Sequence, residues 1–282
     1  MLLPDYITEI TGIVDSRELL RLAAIIPILF FPPVRRFLRR WVFVWLPVSQ
    51  KWRRLVRSEL PLYERLPIRL RGKLEKTARV FLREVRFRGE DGFKVTDQVR
   101  ASVAGHACAL MLGRWGGYFN GVKEVKIYPS MLKPAAGVSK PKDRKGIKRV
   151  IIGLWSSGGT VHLSWDWVYY GADFPFDGHN VVFHEFAHAM DFRYKFSGGM
   201  SESAHWWRSL RRWFMRREFK RHQREGGRRD AIISEYGATN QEEYFACATE
   251  AFFECPRSLK EKHPSTYKYL KKCYRLDPAG WG

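Results

Sequence analysis

Residues 180–192 read NVVFHEFAHAMDF. His184 and His188 stand four apart, and Glu185 directly follows the first. On a helix this spacing puts both imidazoles on one face, one turn apart, where both reach a single metal ion. Glu185 is then the carboxylate beside a metal-activated water, in the position of a general base. The rest of the stretch is apolar: Val181, Val182, Phe183, Phe186, Ala187, Ala189, Met190 and Phe192 leave Asp191 as nearly the only other polar side chain. Unpaired histidines and a carboxylate buried on so apolar a helix would cost a few kcal/mol, and a zinc ion supplies the missing partner. Asp191 either accepts a hydrogen bond from a ligand histidine or lies on the helix surface.

A catalytic zinc site takes three protein ligands and keeps a fourth position open. A third histidine six residues after His188 is excluded, because position 194 is Tyr. A glutamate ~20 residues on would fall near Arg208, which cannot bind zinc. Glu202 and His205 sit in the Ser/Gly-rich KFSGGMSESAH and are weaker candidates. The better source is EYGATNQEEYFACATEAFFECP, residues 235–256. After the turn-like GATN, a helix is predicted from about Gln241, with Tyr244, Phe245, Ala248, Ala251 and Phe252 apolar. Glu243 and Glu250 are seven apart, two turns, on one face. Carboxylates on the core side of such a helix need a cation. Glu243, at the helix N-terminus, is the expected ligand; Glu250 is the alternative, or a residue that supports the ligands. Spacing alone does not decide between them.

These residues must be held by a scaffold. Residues 60–89 carry Leu70, Leu74, Ala78, Phe81, Leu82 and Val85 at helical spacing, predicting an amphipathic helix from about Pro67. VTDQVRASVAGHACALML opens on a Thr-Asp cap and predicts a second helix, with His106 and Cys108 as core residues. VKEVKIYP (122–129) alternates as a strand does, and KPAAGVSKPKDRKG (133–146) reads as a loop. KRVIIGLW and GTVHLSWDWVYYG read as strands around an SSGG turn. TVHLSW is expected to offer a sheet edge to an extended peptide, with Val161, His162, Leu163 and Ser164 as the substrate-binding residues. Helices, a few strands and then helices predict an α+β fold with a small mixed sheet.

The chain has 282 residues, 45% of them hydrophobic, enough for one sizeable core. Fifty Lys and Arg against 29 Asp and Glu give a net charge of +21, which attracts anionic membranes, nucleic acid or acidic proteins. The basic residues are spread along the chain and no nucleic-acid motif appears, so no specific nucleic acid is expected. Residues 1–50 form an apolar, arginine-rich segment, predicted helical, ahead of the domain at 51–282. LAAIIPILFFPPV (22–34) is too short to cross a bilayer, which takes ~20 apolar residues. Extending the span would bury Arg35, Arg36, Arg39 and Arg40. The long, mixed-charge segment before it and the lack of a small-residue cleavage site after it also fit a cleaved signal peptide badly. The segment is expected to bind an anionic membrane surface; the alternatives are helices packed on the protein itself, or a lid over the zinc cleft. Cys108, Cys247, Cys255 and Cys273 form no disulfide framework, which predicts a reducing, cytoplasmic compartment; with residues 1–50 on a membrane surface, the protein would be peripheral at the cytoplasmic face.

HEFAHAMD followed by Y-x6-E-x-F-A-x-x-x-E-x-F-F resembles the Mlc titration factor A family, zinc-dependent peptidases of the glutamate-zincin type. The likeness begins near residue 55 and runs almost to the C-terminus. It takes in VKIYPS (125–130), VHLSW, Asn180 and HPSTYKYL. The resemblance implies a zincin-like metallopeptidase domain with one zinc per chain, held by His184, His188 and Glu243. It also singles out Tyr236, seven residues before Glu243, whose phenol would donate to the developing oxyanion. A peptide or protein would be the substrate. The family's name adds a transcriptional regulator as a partner, and with it an alternative: a regulator-titrating protein on a zincin fold, with hydrolysis incidental. Family members are soluble and lack an apolar stretch like residues 22–48, so the resemblance does not account for that stretch.

Overall fold

The computed structural model describes residues 34, 35, 38, 40, 42, 46–113, 119, 121–130, 153–156, 158–196, 203–224 and 232–281, with backbone alone at 155, 191–196 and 203–212. Two compact units divide after Pro47. The apolar run at 22–33 and the predicted loop at 133–146 lie outside the described residues. His184, Glu185, His188, Glu243 and Glu250 all belong to the unit from Val48 onward.

Three helices open that unit: α1 (Gln50–Glu59), the single turn α2 (Leu62–Arg65) and α3 (Ile68–Glu84). Leu70, Leu74, Ala78 and Phe81 form the buried stripe of α3, as their spacing predicts. The helix stops at Glu84 instead of running to 89. Val85 is extended and Arg86–Gly89 becomes strand β1. Here Phe87 alternates with exposed Arg86 and Arg88, and Arg86 N donates to Lys123 O at 3.0 Å. The period has changed from helix to strand, and a neighbouring strand takes up the hydrogen bonds.

Helix α4 (Asp97–Ala109) begins as predicted, with the Thr96 hydroxyl accepting from Val99 N. Its residues from Ala101 to Ala109 are all buried, His106 and Cys108 among them. His106 Nδ1 donates to Ser102 O at 2.9 Å, and burial pushes its pKa down to about 4. Strands β2 (Glu124–Tyr128), β3 (Gly153–Ser156) and β4 (Thr160–Ser164) complete a mixed sheet in the order β1-β2-β4-β3. β1 and β2 are parallel, as are β2 and β4; β3 runs antiparallel to β4. Val125, Ile127, Val161 and Leu163 are fully buried.

Two expectations are corrected here. β4 is not a sheet edge. It pairs with β2 over Thr160–Ser164 and with β3 over Thr160–Leu163. Val161, Leu163 and Ser164 are buried, and His162 pairs with the Tyr128 hydroxyl at 3.2 Å, so none of the four is placed to bind a peptide by strand addition. An alternating pattern reads alike in an inner and an outer strand, and strand order is set by tertiary pairing. The strand also ends at Ser164: WDWVYYGAD is helix α5 (Trp165–Asp173), despite its aromatic, strand-like composition. Val168 and Gly171, three apart, face inward on it.

The remaining described elements are α6 (Val181–Phe196), α7 (Ser203–Arg224), a 3-10 turn (Glu235–Ala238), α8 (Gln241–Glu254), α9 (Pro256–Lys262), α10 (Pro264–Tyr274) and a second 3-10 turn (Pro278–Gly280). The architecture is α+β. Phe183 and Phe186 root α6 in the core, at 5.3 Å from the His106 ring and 5.7 Å from the Phe81 ring. Phe183 also stacks on Phe253 of α8 at 5.0 Å. Burying each such side chain stabilises the fold by ~1.5–3 kcal/mol, enough to fix which face of α6 turns inward.

Candidate metal centre

Asn180 starts α6. Its Oδ1 accepts from Val182 N at 3.2 Å and Phe183 N at 3.1 Å, satisfying two of the unpaired N–H groups of the first turn. Asn240 does the same for α8, accepting from Glu243 N at 2.8 Å. Two capped helices thus meet with fixed rotation, and the carboxylates of α8 face the histidines of α6.

His184 Nε2 lies 2.9 Å from Glu243 Oε2 and 3.2 Å from His188 Nε2; His188 Nε2 lies 3.3 Å from Glu243 Oε2. On the other side of the same ring, His184 Nδ1 donates to Glu250 Oε1 at 2.7 Å. Glu250 Oε2 accepts from Asn180 N at 2.7 Å. The two carboxylates that spacing could not separate therefore serve opposite nitrogens of one imidazole.

This decides what the cluster can hold. With the Nδ1 proton given to Glu250, His184 Nε2 carries a lone pair, and that lone pair confronts a carboxylate oxygen. A proton on Nε2 or a metal cation between the two atoms removes that repulsion. Burial opposes charge on His184, yet the Glu250 charge and hydrogen bonding with Cys247, Glu243 and Glu250 raise its pKa well above the usual histidine range. Burial likewise opposes charge on Glu243, but its hydrogen bonds to His184 and His188 hold it far below the usual carboxylate range. A metal ion satisfies the same three atoms at once. Zinc bonds of ~2.0–2.1 Å at tetrahedral angles separate ligand atoms by ~3.3 Å, close to the three separations found here.

Cys247, His184 and Glu250 form a second group of potential ligands, on the Nδ1 side. Burial pushes the Cys247 thiol up to about 11, and on this side the His184 Nδ1 already donates to Glu250, so the ring offers no lone pair there. Glu185 is buried at 5% exposure; burial raises its pKa, with His184 and His188 pulling the other way. The Tyr236 ring, in the 3-10 turn, stands 5.7 Å from the His184 ring and is 36% exposed. The side chain of Asp191, and residues 202 and 205 as ligand candidates, lie outside the described side chains.

Three participants went unnoticed in the sequence. Gly153 of β3 lies against the Glu185 side chain. Cys247 flanks His184. Glu254, one turn past Glu250, accepts from Phe176 N at 2.6 Å and from Asn180 Nδ2 at 3.2 Å, and burial pushes its carboxyl up to about 8. A further acidic residue on the apolar part of this helix, one turn after Glu250, was a readable signal for Glu254. Gly153 carried no such signal, because its partner is 32 residues away.

The family model of the glucose-regulated metallo-peptidases M90 matches residues 35–275. The chain belongs to this M90 family. The match takes in both site helices and the whole sheet. An uncharacterized protein of Synechocystis sp. is 31% identical to the M90 chain over 244 residues, 82% of this chain and 86% of that protein. Mlc titration factor A of Edwardsiella ictaluri is 28% identical over 222 residues, 73% and 80% of the two chains. The protein of that name from Yersinia pestis is 28% identical over 221 residues, 73% and 77%.

Proposed function

We propose that this M90 chain is a zinc-dependent peptidase. The reading rests on one observation: His184 Nε2, His188 Nε2 and Glu243 Oε2 converge at separations that suit a single tetrahedral ion. Zinc, when bound there, supplies Lewis acidity toward a carbonyl and toward water. Glu185 takes a proton from the attacking water and later delivers it to the leaving amine. A raised pKa suits that double role, since the group must both accept and release a proton near neutral pH. Tyr236, beside the His184 ring, donates its phenol proton to the developing oxyanion. Glu250 fixes the His184 tautomer.

An extended peptide pairs along the outer side of β3, the terminal strand among the described residues, which meets α6 at Gly153 and Glu185. The deciding variant is Glu185→Gln. It should keep zinc, by metal analysis, and lose peptide hydrolysis, because an amide of the same shape cannot act as a base. Cleavage at the parent rate would remove Glu185 from this role.

The names of two relatives support a second reading, in which the chain binds a transcriptional regulator and hydrolysis is incidental. Regulator capture that survives both chelation and Glu185→Gln would favour it.

A further inference from the structure

Helix α7 turns two unlike faces in two directions. Inside, Met215, Glu218 and His222 are buried, and the Phe214 ring stacks on Tyr269 with centroids 5.0 Å apart. His222 Nε2 donates to Ser234 O at 3.2 Å, and its ring stands 5.4 Å from that of Tyr244. These interactions fix the rotation of the helix. Outside, Trp213, Arg216, Arg217, Lys220 and Arg224 are all exposed. Their spacing from Trp213 is three, four, seven and eleven residues, which is one stripe of a helix. At ~1.5 Å per residue the stripe is ~16 Å long.

Among the described residues the stripe lacks counter-charge. The only carboxylate of α7 is Glu218, which is buried and pairs with Arg221 at 3.6 Å. Arg216, Lys220 and Arg224 make no ion pair among the described residues. Arg216 and Lys220, and again Lys220 and Arg224, are like charges one turn apart, an arrangement that disfavours the helix unless anions neutralise it. Trp213 is 58% exposed, and the Arg217 guanidinium lies 5.6 Å from its ring centroid. A large apolar ring in a row of cations suits a partner that is anionic at its surface and apolar just beneath.

We propose that this face of α7 docks on an anionic phospholipid surface. Phosphate headgroups neutralise Arg216, Arg217, Lys220 and Arg224, and the Trp213 indole enters the interfacial zone that tryptophan favours. A nucleic acid would also meet the cations. However, its described side chains form a stripe one helix wide with one aromatic ring, Trp213, whereas single-strand binders use a groove with several stacking rings.

The test uses the full chain, so that residues 1–50 are present in every variant and their contribution cancels. Sedimentation is measured with vesicles of phosphatidylcholine, alone or mixed with phosphatidylglycerol. The parent should partition onto the anionic vesicles and not onto pure phosphatidylcholine. The triple variant Arg216→Gln, Arg217→Gln, Lys220→Gln should bind ~10²-fold more weakly, about fivefold for each cation removed. It should melt no lower than the parent, since like-charge neighbours are removed. Trp213→Ser should weaken binding while leaving its salt dependence in place. Triple-variant binding within twofold of the parent, or equal binding of the parent to both vesicle types, overturns the proposal. So does a short DNA duplex that strips the parent from anionic vesicles at matched phosphate, which would make nucleic acid the partner.

Discussion

A Cβ built on Gly153 would stand 2.5 Å from Glu185 Oε1 and 2.6 Å from its Cγ. The strand next to the site helix thus touches the carboxyl group with bare backbone. Only glycine permits this approach, so β3 sets the position of Glu185. Gly153→Ala should push the carboxyl aside and lower peptide hydrolysis by ~10²-fold, the usual effect of misplacing a reacting group by ~1 Å. Zinc content should not change, because Glu185 is not among the three converging atoms. Turnover within twofold of the parent would show that Glu185 can sit elsewhere and still work.

Glu243 and Glu250 contact different nitrogens of His184, so their removal should have unequal effects. Glu250→Ala removes a hydrogen bond behind a ligand and should weaken zinc binding by ~10–100-fold. Glu243→Ala removes the proposed third ligand and should weaken it further. Competition with a chelator ranks the two variants. The opposite ranking would transfer the ligand role to Glu250.

Tyr236→Phe should lower kcat and leave KM nearly unchanged, because a donor to the oxyanion acts only in the transition state. A loss of ~10²–10³-fold is expected, as for other single oxyanion donors. Steady-state kinetics on one peptide substrate measures it. An unchanged kcat would make Tyr236 a bystander at the rim of the site.

Glu254 predicts a pH dependence of stability. Its carboxyl is pushed up to about 8 in the folded chain, from 4.5 as its ordinary value, first by burial. The folded state therefore holds this proton more tightly than the unfolded state. The resulting stability is fully present below the ordinary pKa and is lost as pH rises through the folded one. Glu254→Gln has no proton to lose. The melting temperature of the parent minus that of Glu254→Gln should fall between pH 5 and pH 8.5. Each kcal/mol lost corresponds to ~2–4 °C. A difference that stays flat, or rises, would mean that Glu254 is ionised throughout and held by its two donors, Phe176 N and Asn180 Nδ2.

The sequence by itself determined the two helices that carry the candidate site. His184 and His188 share a face because a helix repeats every ~3.6 residues, and the apolar flanks of 181–192 and 244–252 put both helices in the core. Asn180 and Asn240 mark both starts. These are local properties, fixed within one or two turns. Only the tertiary structure decided what lies between elements. Glu243 and Glu250 are equivalent by period, and only the docking of α8 on α6 gives one the Nε2 side and the other the Nδ1 side. TVHLS alternates correctly, but pairing with β2 and β3 made it an inner strand, with β3 outermost on that side among the described residues. WDWVYYGAD favours a strand by composition, yet packing of Val168 and Gly171 held it as a helix. Gly153 and Glu254 found their partners 32 and 78 residues away. Hydrogen-bond and packing partners at such separations are set by how whole elements dock, and periodicity along the chain does not encode that.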